Sequence, residues 1–281
     1  MTATIWPAAN VSPWIPEIWG TIIQMATEAD LVFATHVDRR FEAQLTYGDT
    51  VRIPILADFG TADAVNTTAD LDLYNTTQTC TNVVVNYWYQ KSVGLAEKEQ
   101  LQDHPDILVA ALQKCGYAIS KNIDSALATL VNSTFTTYGE GTQNSALTAD
   151  VLINCYEDLN EADAPQGDRV WVFDPESITD LLKLDYFVRM DYIPDSVVTK
   201  GFQGRQIFGS PVYMTTNLNG FADSHEAVYM HKEGLVLLQQ KAPTVHAFAW
   251  PQRFSNVVGV STLYGVLGAR AAFGVCICTR S

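Results

Sequence analysis

From Ala57 to Thr81 the chain offers almost nothing that a core could use: Asp58, Asp63, Asp70 and Asp72 stand among Thr, Asn and Gly, and no basic residue occurs. Strand patterns flank this stretch on both sides. Upstream, Tyr47-Gly48-Asp49 signals a turn into Thr50-Val51-Arg52-Ile53-Pro54, where Val51, Ile53 and Ile55 alternate with Arg52 and Pro54. Downstream, the run from Val83 to Tyr89 is β-branched and aromatic and reads as one strand. Pro54 lacks the N–H that a central ladder needs, so its strand belongs at an edge or in a ribbon. A coreless loop this long inside a compact domain is usually functional. The expectation is a protruding two-stranded arm.

The longest regular element is predicted from Asp103 to Leu130. Asp103-His104-Pro105-Asp106 supplies a cap, a proline and an acidic first turn, and Leu108, Leu112, Cys115, Ile119, Ile123, Ala126 and Leu130 form one apolar stripe. At 1.5 Å per residue such a helix runs about 40 Å, a rod suited to lie across a sheet. The Gly- and Thr-rich stretch Thr136 to Ser145 reads as a linker. Beyond it helix and strand alternate: helices over Leu147 to Ala162 and Pro175 to Leu184, and strands over Arg169 to Phe173, Gly204 to Tyr213, Ala227 to Leu238 and, once or twice, Thr262 to Cys278. Before the turn at Gly48, an extended Pro-rich arm precedes a helical pattern from Glu17 to Ala34.

Charge narrows the functional classes. With 31 acidic against 17 basic residues the net charge is −14, so a general grip on nucleic-acid phosphates by the body of the protein is not expected. Five cysteines without Cys-x-x-Cys spacing argue against structural zinc and a disulfide framework, and Cys115 and Cys155 fall at buried helix positions. The first basic residue is Arg39, so no secretory leader is expected, and no apolar run spans a membrane. A soluble protein folding in a reducing cytoplasm follows. The sequons at Asn10, Asn66, Asn75 and Asn132 then reflect only Thr- and Asn-rich composition.

A search for catalytic groups finds none, and no cofactor or metal site. Gly139-Glu140-Gly141 lacks the third glycine of a dinucleotide loop, Gly201 to Gly204 lacks the Lys-Ser/Thr of a phosphate loop, and Gly259-Val260-Ser261 is not a nucleophile elbow. Asp223, His225, Glu226 and His231 could be drawn as a metal cluster, but a solvated turn accounts for them better. Glu97 with Glu99, and Glu157 with Asp158, read as helix surface.

The order of these pieces resembles the major capsid proteins of tailed bacteriophages, with the Hong Kong 97-type fold. The carriers are Pro13 to Trp19 with Leu31 to Ala34, the triplet Asp38-Arg39-Arg40, the Gly48-Asp49-Thr50-Val51 strand entry, and the long helix. To these are added Arg169 to Glu176 with Asp180 to Lys183, Gly201 to Arg205, Gly209 to Tyr213, and Thr216-Asn217 with Asn219. The resemblance implies an α+β fold. Its parts would be an N-terminal arm and entry helix (1–46), an extended loop with flanking strands (47–91), a peripheral domain with a spine helix (92–146), an axial domain (147–222), and C-terminal strands returning to the peripheral domain (223–281).

It further implies a non-enzymatic coat protein that assembles with itself into pentamers and hexamers, an icosahedral shell around double-stranded DNA. Scaffolding, portal and decoration proteins would be its other partners, with assembly in the host cytoplasm and residence in the virion. Asp58, Asp63, Asp70 and Asp72 are candidates for contacts between subunits, as are Arg39, Arg40, Arg205 and Arg253. The namesake's lysine-to-asparagine cross-link is not expected, because no lysine precedes Lys91. Two alternatives stay open: a cellular nanocompartment shell of the same fold, and an extracellular carbohydrate-binding protein or glycosidase.

Overall fold

A computed structural model describes residues 32–45, 47–56, 61, 78–96, 106–138, 147–184, 206–218 and 226–278. The segment predicted as an entry helix lies outside these residues, except that Phe33–Thr35 forms a single 3₁₀ turn.

The alternating strand before the acidic loop is β1 (Thr50–Leu56), and it pairs antiparallel with β2 (Gln78–Val84) from Thr50↔Val84 to Leu56↔Gln78. The two make a sheet of their own, as Pro54 required, with Pro54 opposite Cys80. Gln78 to Thr81, expected within the loop, are ladder residues instead. The run Val83 to Tyr89 is also not one strand. It breaks at Val85 and Asn86, and β3 (Tyr87–Ala96) joins a different sheet. The cause is a crossing: the chain at Val84–Val85 passes over a distant glycine, Gly265, at a separation no side chain could occupy.

The long helix α1 spans Asp106–Thr134, ending later than predicted, and Asp103 to Pro105 lie outside the described residues. Its buried stripe begins as expected with Leu112, Cys115, Ile119 and Ile123, then continues through Leu127 and Val131, while Ala126 and Leu130 are only partly buried. A spacing of four advances the stripe around a 3.6-residue helix, and α1 uses that drift to serve two sheets. Val258, Val260 and Tyr264 come from one of them, and Val170, Val172, Val228, Met230 and Cys276 from the other.

Thr136–Tyr138, placed in the linker by composition, forms a short strand β4. After it come α2 (Ala149–Glu161), β5 (Arg169–Phe173) and α3 (Pro175–Leu181), the last one turn shorter than predicted. Gly204 to Tyr213 is a hairpin rather than one strand, β6 (Gln206–Ile207) turning at Phe208-Gly209 into β7 (Ser210–Met214). Then follow β8 (Glu226–His231), β9 (Leu235–Trp250), β10 (Ser255–Gly268) and β11 (Gly274–Cys278).

The large sheet has the order β4-β11-β8-β5-β7-β6 and the small one β3-β10-β9. The central strands of the large sheet are buried at every residue, the pattern of a sheet covered on both faces. Val170, Val172, Val228 and Met230 face α1, whereas Trp171, Phe173 and Tyr229 face Leu152, Cys155 and Leu159 of α2 and Leu181 of α3. Trp171 stacks on Tyr229 at 4.0 Å and on Phe173 at 5.5 Å.

The C-terminal strands do not return to one place. β8 and β11 belong to the large sheet beside β5, and only β9 and β10 join β3. The chain steps across at Lys232–Gly234 and back at Ala271–Phe273, which breaks the single strand predicted from Ala227 to Leu238. The crossings lie side by side. The N–H groups of Ala269 and Arg270 donate to the Gly234 carbonyl, and Glu233 holds Arg270 at 3.4 Å and Arg40 at 2.8 Å.

Candidate assembly surfaces

The acidic loop leaves and re-enters the fold through the β1–β2 ribbon, whose root is built carefully. Val51, Val83 and Val85 pack with Leu45, Val236 and Leu238, with Ile53, Leu263 and Leu267 at the margin. The Val85 N–H donates to the Asp49 carbonyl at 2.7 Å, and Gln240 Nε2 donates to the Gly48 carbonyl at 3.0 Å. Gly48 sits at φ +102°, a conformation that glycine adopts without strain. Beyond Ile53 the ladder continues through Pro54↔Cys80, Ile55↔Thr79 and Leu56↔Gln78. An isolated two-stranded ribbon is marginal in water, and among the described residues no third strand pairs with this one.

A second surface lies at hairpin tips. The β6–β7 turn puts Phe208 at φ +50°, and the β9–β10 turn puts Phe254 at φ +44°. A bulky residue in the left-handed region costs of order 1–3 kcal/mol, and such strain clusters at functional positions. Yet the phenyl rings point outward, 44% and 53% exposed. Phe208 rests on Tyr156 of α2 at 5.1 Å, beside the exposed Ile153. In the same hairpin β9 exposes Phe248 and Trp250, two residues apart and so on one face of the strand. Large exposed aromatics at two separate tips are a pattern of interaction sites.

The residues proposed from sequence fare unevenly. Arg39 donates to Glu42 at 2.8 Å and to Gln239 at 3.2 Å. Arg40 grips Asp38 with both Nε and Nη2, at 2.7–3.0 Å, and reaches Glu233. Burial would raise the Asp38 carboxyl, but its bonds from Arg40 outweigh burial and hold it below the usual carboxylate range. Both arginines therefore bind their own subunit's carboxylates. Arg253 lies over the Trp250 ring at 4.9 Å, within the β9–β10 tip. Asp58, Asp63, Asp70, Asp72 and Arg205 lie outside the described residues, as do Asp223 and His225. Glu226 is no turn residue: it is buried at the start of β8.

Sequence reasoning missed Phe208, Phe254, Phe248 and Trp250. Phe208-Gly209 between strand patterns was the available signal, a two-residue hairpin turn with an aromatic where Asn is usual. Among the described residues no cluster of His, Cys, Asp and Glu could hold a metal, and no helix is long and apolar enough to cross a membrane. Cys115, Cys155, Cys276 and Cys278 are buried, and burial pushes the Cys155 thiol up to about 12.

The sequence matches no protein-family model and no curated protein. The fold, in contrast, matches widely. A chain of Mycobacterium phage Che8 superposes at a TM-score of 0.73 with 18% identity, covering 88% of this chain and 91% of that one. The mature capsid of bacteriophage PhiM1 gives 0.67 with 15% identity, covering 89% and 87%. A virus-like particle from Pyrococcus furiosus gives 0.63 with 13% identity, covering 94% and 99%. At such identities what is shared is the fold alone, and this chain has the bacteriophage capsid fold.

Proposed function

We propose that the chain is a major capsid protein, which assembles with copies of itself into pentamers and hexamers of an icosahedral shell around double-stranded DNA. The observation that carries the reading is the β1–β2 ribbon, rooted firmly on β9 and β10 and, among the described residues, without a third strand. Shells of this kind need heterologous contacts that close into rings, and the ribbon and the two aromatic tips supply separate surfaces for them. Support also comes from the fold, shared with phage capsids along most of the chain. The proposed role is structural, without catalysis, and scaffolding, portal and decoration proteins are the proposed partners in the virion.

Electron microscopy of purified protein, with analytical ultracentrifugation, is the test. Closed particles or ring-shaped capsomers are expected, and a lone 31.0 kDa species across assembly conditions would defeat the proposal. The likeness to a Pyrococcus virus-like particle gives the nanocompartment a specific footing, and the nucleic acid content of particles from the native source separates the two.

The loop itself should be separable from folding. Because Leu56 faces Gln78 across the ladder, residues 57–77 can be replaced by Asn-Gly, which closes a two-residue hairpin. The expected variant keeps its circular dichroism spectrum and cooperative melt but forms no shells. A non-cooperative melt would place the loop in a core instead.

A further inference from the structure

A groove of about 340 Å³ runs between β3 and α1, and its chemistry contrasts with the chain's acidity. Its walls present Tyr89, Gln90 and Lys91 from the strand and Lys121, Asn122 and Ser125 from the helix. Tyr89 is held in place by stacking on Tyr87 at 6.2 Å and Tyr264 at 6.0 Å. On the helix the cationic strip continues beyond the groove. Lys114, Tyr117 and Lys121 follow at spacings of three and four, so they share one face, and all three are exposed. Lys114 and Lys121 stand two turns apart, about 10 Å along the axis.

Between Ala111 and Thr134 the helix carries one carboxylate, Asp124, and that is buried, accepting from the Phe33 N–H and Asn217 Nδ2 at 3.0 Å each. The exposed side of this segment is therefore of one sign. Elsewhere Arg39, Arg40, Lys183 and Arg270 sit in ion pairs, whereas Lys91, Lys114 and Lys121, like Arg52, Lys232, Lys241 and Arg253, have no carboxylate within ion-pair distance among the described residues. What sets Lys91, Lys114 and Lys121 apart is that they share one surface.

We infer that this strip is a binding track for the phosphate backbone of duplex DNA, read without regard to sequence. Lysines supply point charges to phosphates, and the amides of Gln90 and Asn122 and the Ser125 hydroxyl can donate to their oxygens. The net charge of −14 repels the same polymer overall, so contact depends on this face. The inference rests on the shell reading only for the source of the ligand; the binding itself belongs to the subunit.

Fluorescence anisotropy of a short labelled duplex of arbitrary sequence tests it, titrated with unassembled full-length protein over a series of salt concentrations. Each cation engaged adds about −0.9 to the slope of log affinity against log salt, so Lys91→Gln/Lys121→Gln should flatten that slope by about 2. Arg52→Gln/Lys232→Gln removes the same charge from exposed positions elsewhere, and its slope should match wild type. Equal slopes for all three proteins, or no salt-dependent binding by wild type, would overturn the inference. So would binding of polyglutamate in preference to the duplex, which would reassign the strip to an acidic peptide. Particle formation is scored separately: wild-type protein that binds the duplex but forms no shells under any assembly condition rejects the shell reading and leaves this one standing.

Discussion

Gly265→Ala is expected to abolish shell assembly while leaving a folded subunit. A Cβ at Gly265 would lie 2.5 Å from the Val84 carbonyl oxygen and 3.0 Å from Val85 Cα. These are backbone atoms, so no rotamer change makes room and the ribbon root must lift from β10. The conflict lies on the face where Leu263 and Leu267 meet Val51, Val83 and Val85. Overpacking of this kind costs roughly 1–3 kcal/mol, which a domain of this size survives. The geometric effect is larger, because a tilt at the root is amplified along the ribbon. The measurements are circular dichroism and melting for the subunit, limited proteolysis between β1 and β2, and electron microscopy for particles. Gly167→Ala is the control, since a Cβ there meets nothing within 4 Å. Assembly of Gly265→Ala at wild-type yield would show that the ribbon's seat does not matter.

Arg169→Leu is expected to produce the largest loss of stability. The guanidinium is 2% exposed and has neutral partners: Nε donates to the Pro165 carbonyl at 2.8 Å, Nη2 to the Ala164 carbonyl, and Nη1 to Asn160 Oδ1 at 2.9 Å. It thereby gathers the turn after α2 and anchors it to β5. Leucine would leave the buried Ala164 carbonyl and two part-buried acceptors without their charged donor, and three hydrogen bonds to a charged group at about 1.5 kcal/mol or a little less each put the loss at about 3–5 kcal/mol. At about 2–4 °C per kcal/mol, the melting temperature should drop by ~10 °C or more. Arg169→Lys keeps the charge but not the fork, and should recover only part. A melt within a degree or two of wild type would show that the turn holds without it. Because Tyr156 of α2 supports Phe208, a loosened α2 should also impair assembly before it unfolds the subunit.

The extent of what could be read in advance follows the range of the forces involved. Val51, Ile53 and Ile55 alternating around Pro54 are a local pattern, and they specified an edge ribbon that the fold contains. Leu112, Cys115, Ile119 and Ile123 likewise announced α1. The acidic composition of the stretch after β1 was equally plain in the residues. Breaks were not. Val83 to Tyr89 is an uninterrupted β-former run, and only the passage of Val84 over Gly265, some 180 positions away in sequence, splits it between two sheets. Nothing near His231 says that the strand must leave one sheet for another, because the reason is Gly234 meeting Phe135 and the return crossing at Ala271–Phe273.

Charge shows the same division. Composition gave a net −14 and an expectation of repulsion from phosphates, a statement about the sum. Folding sorted that sum, burying Asp124, pairing Arg39 and Arg40 within the subunit, and leaving Lys91, Lys114 and Lys121 exposed along one strip. By itself the sequence determined most of the elements, their order and the edge ribbon, since periodicity and turn chemistry act over a few residues. Which strands share a sheet, which cations stay free and which aromatics stand strained at hairpin tips were decided only by tertiary structure, where residues far apart in the chain compete for the same space and the same partners.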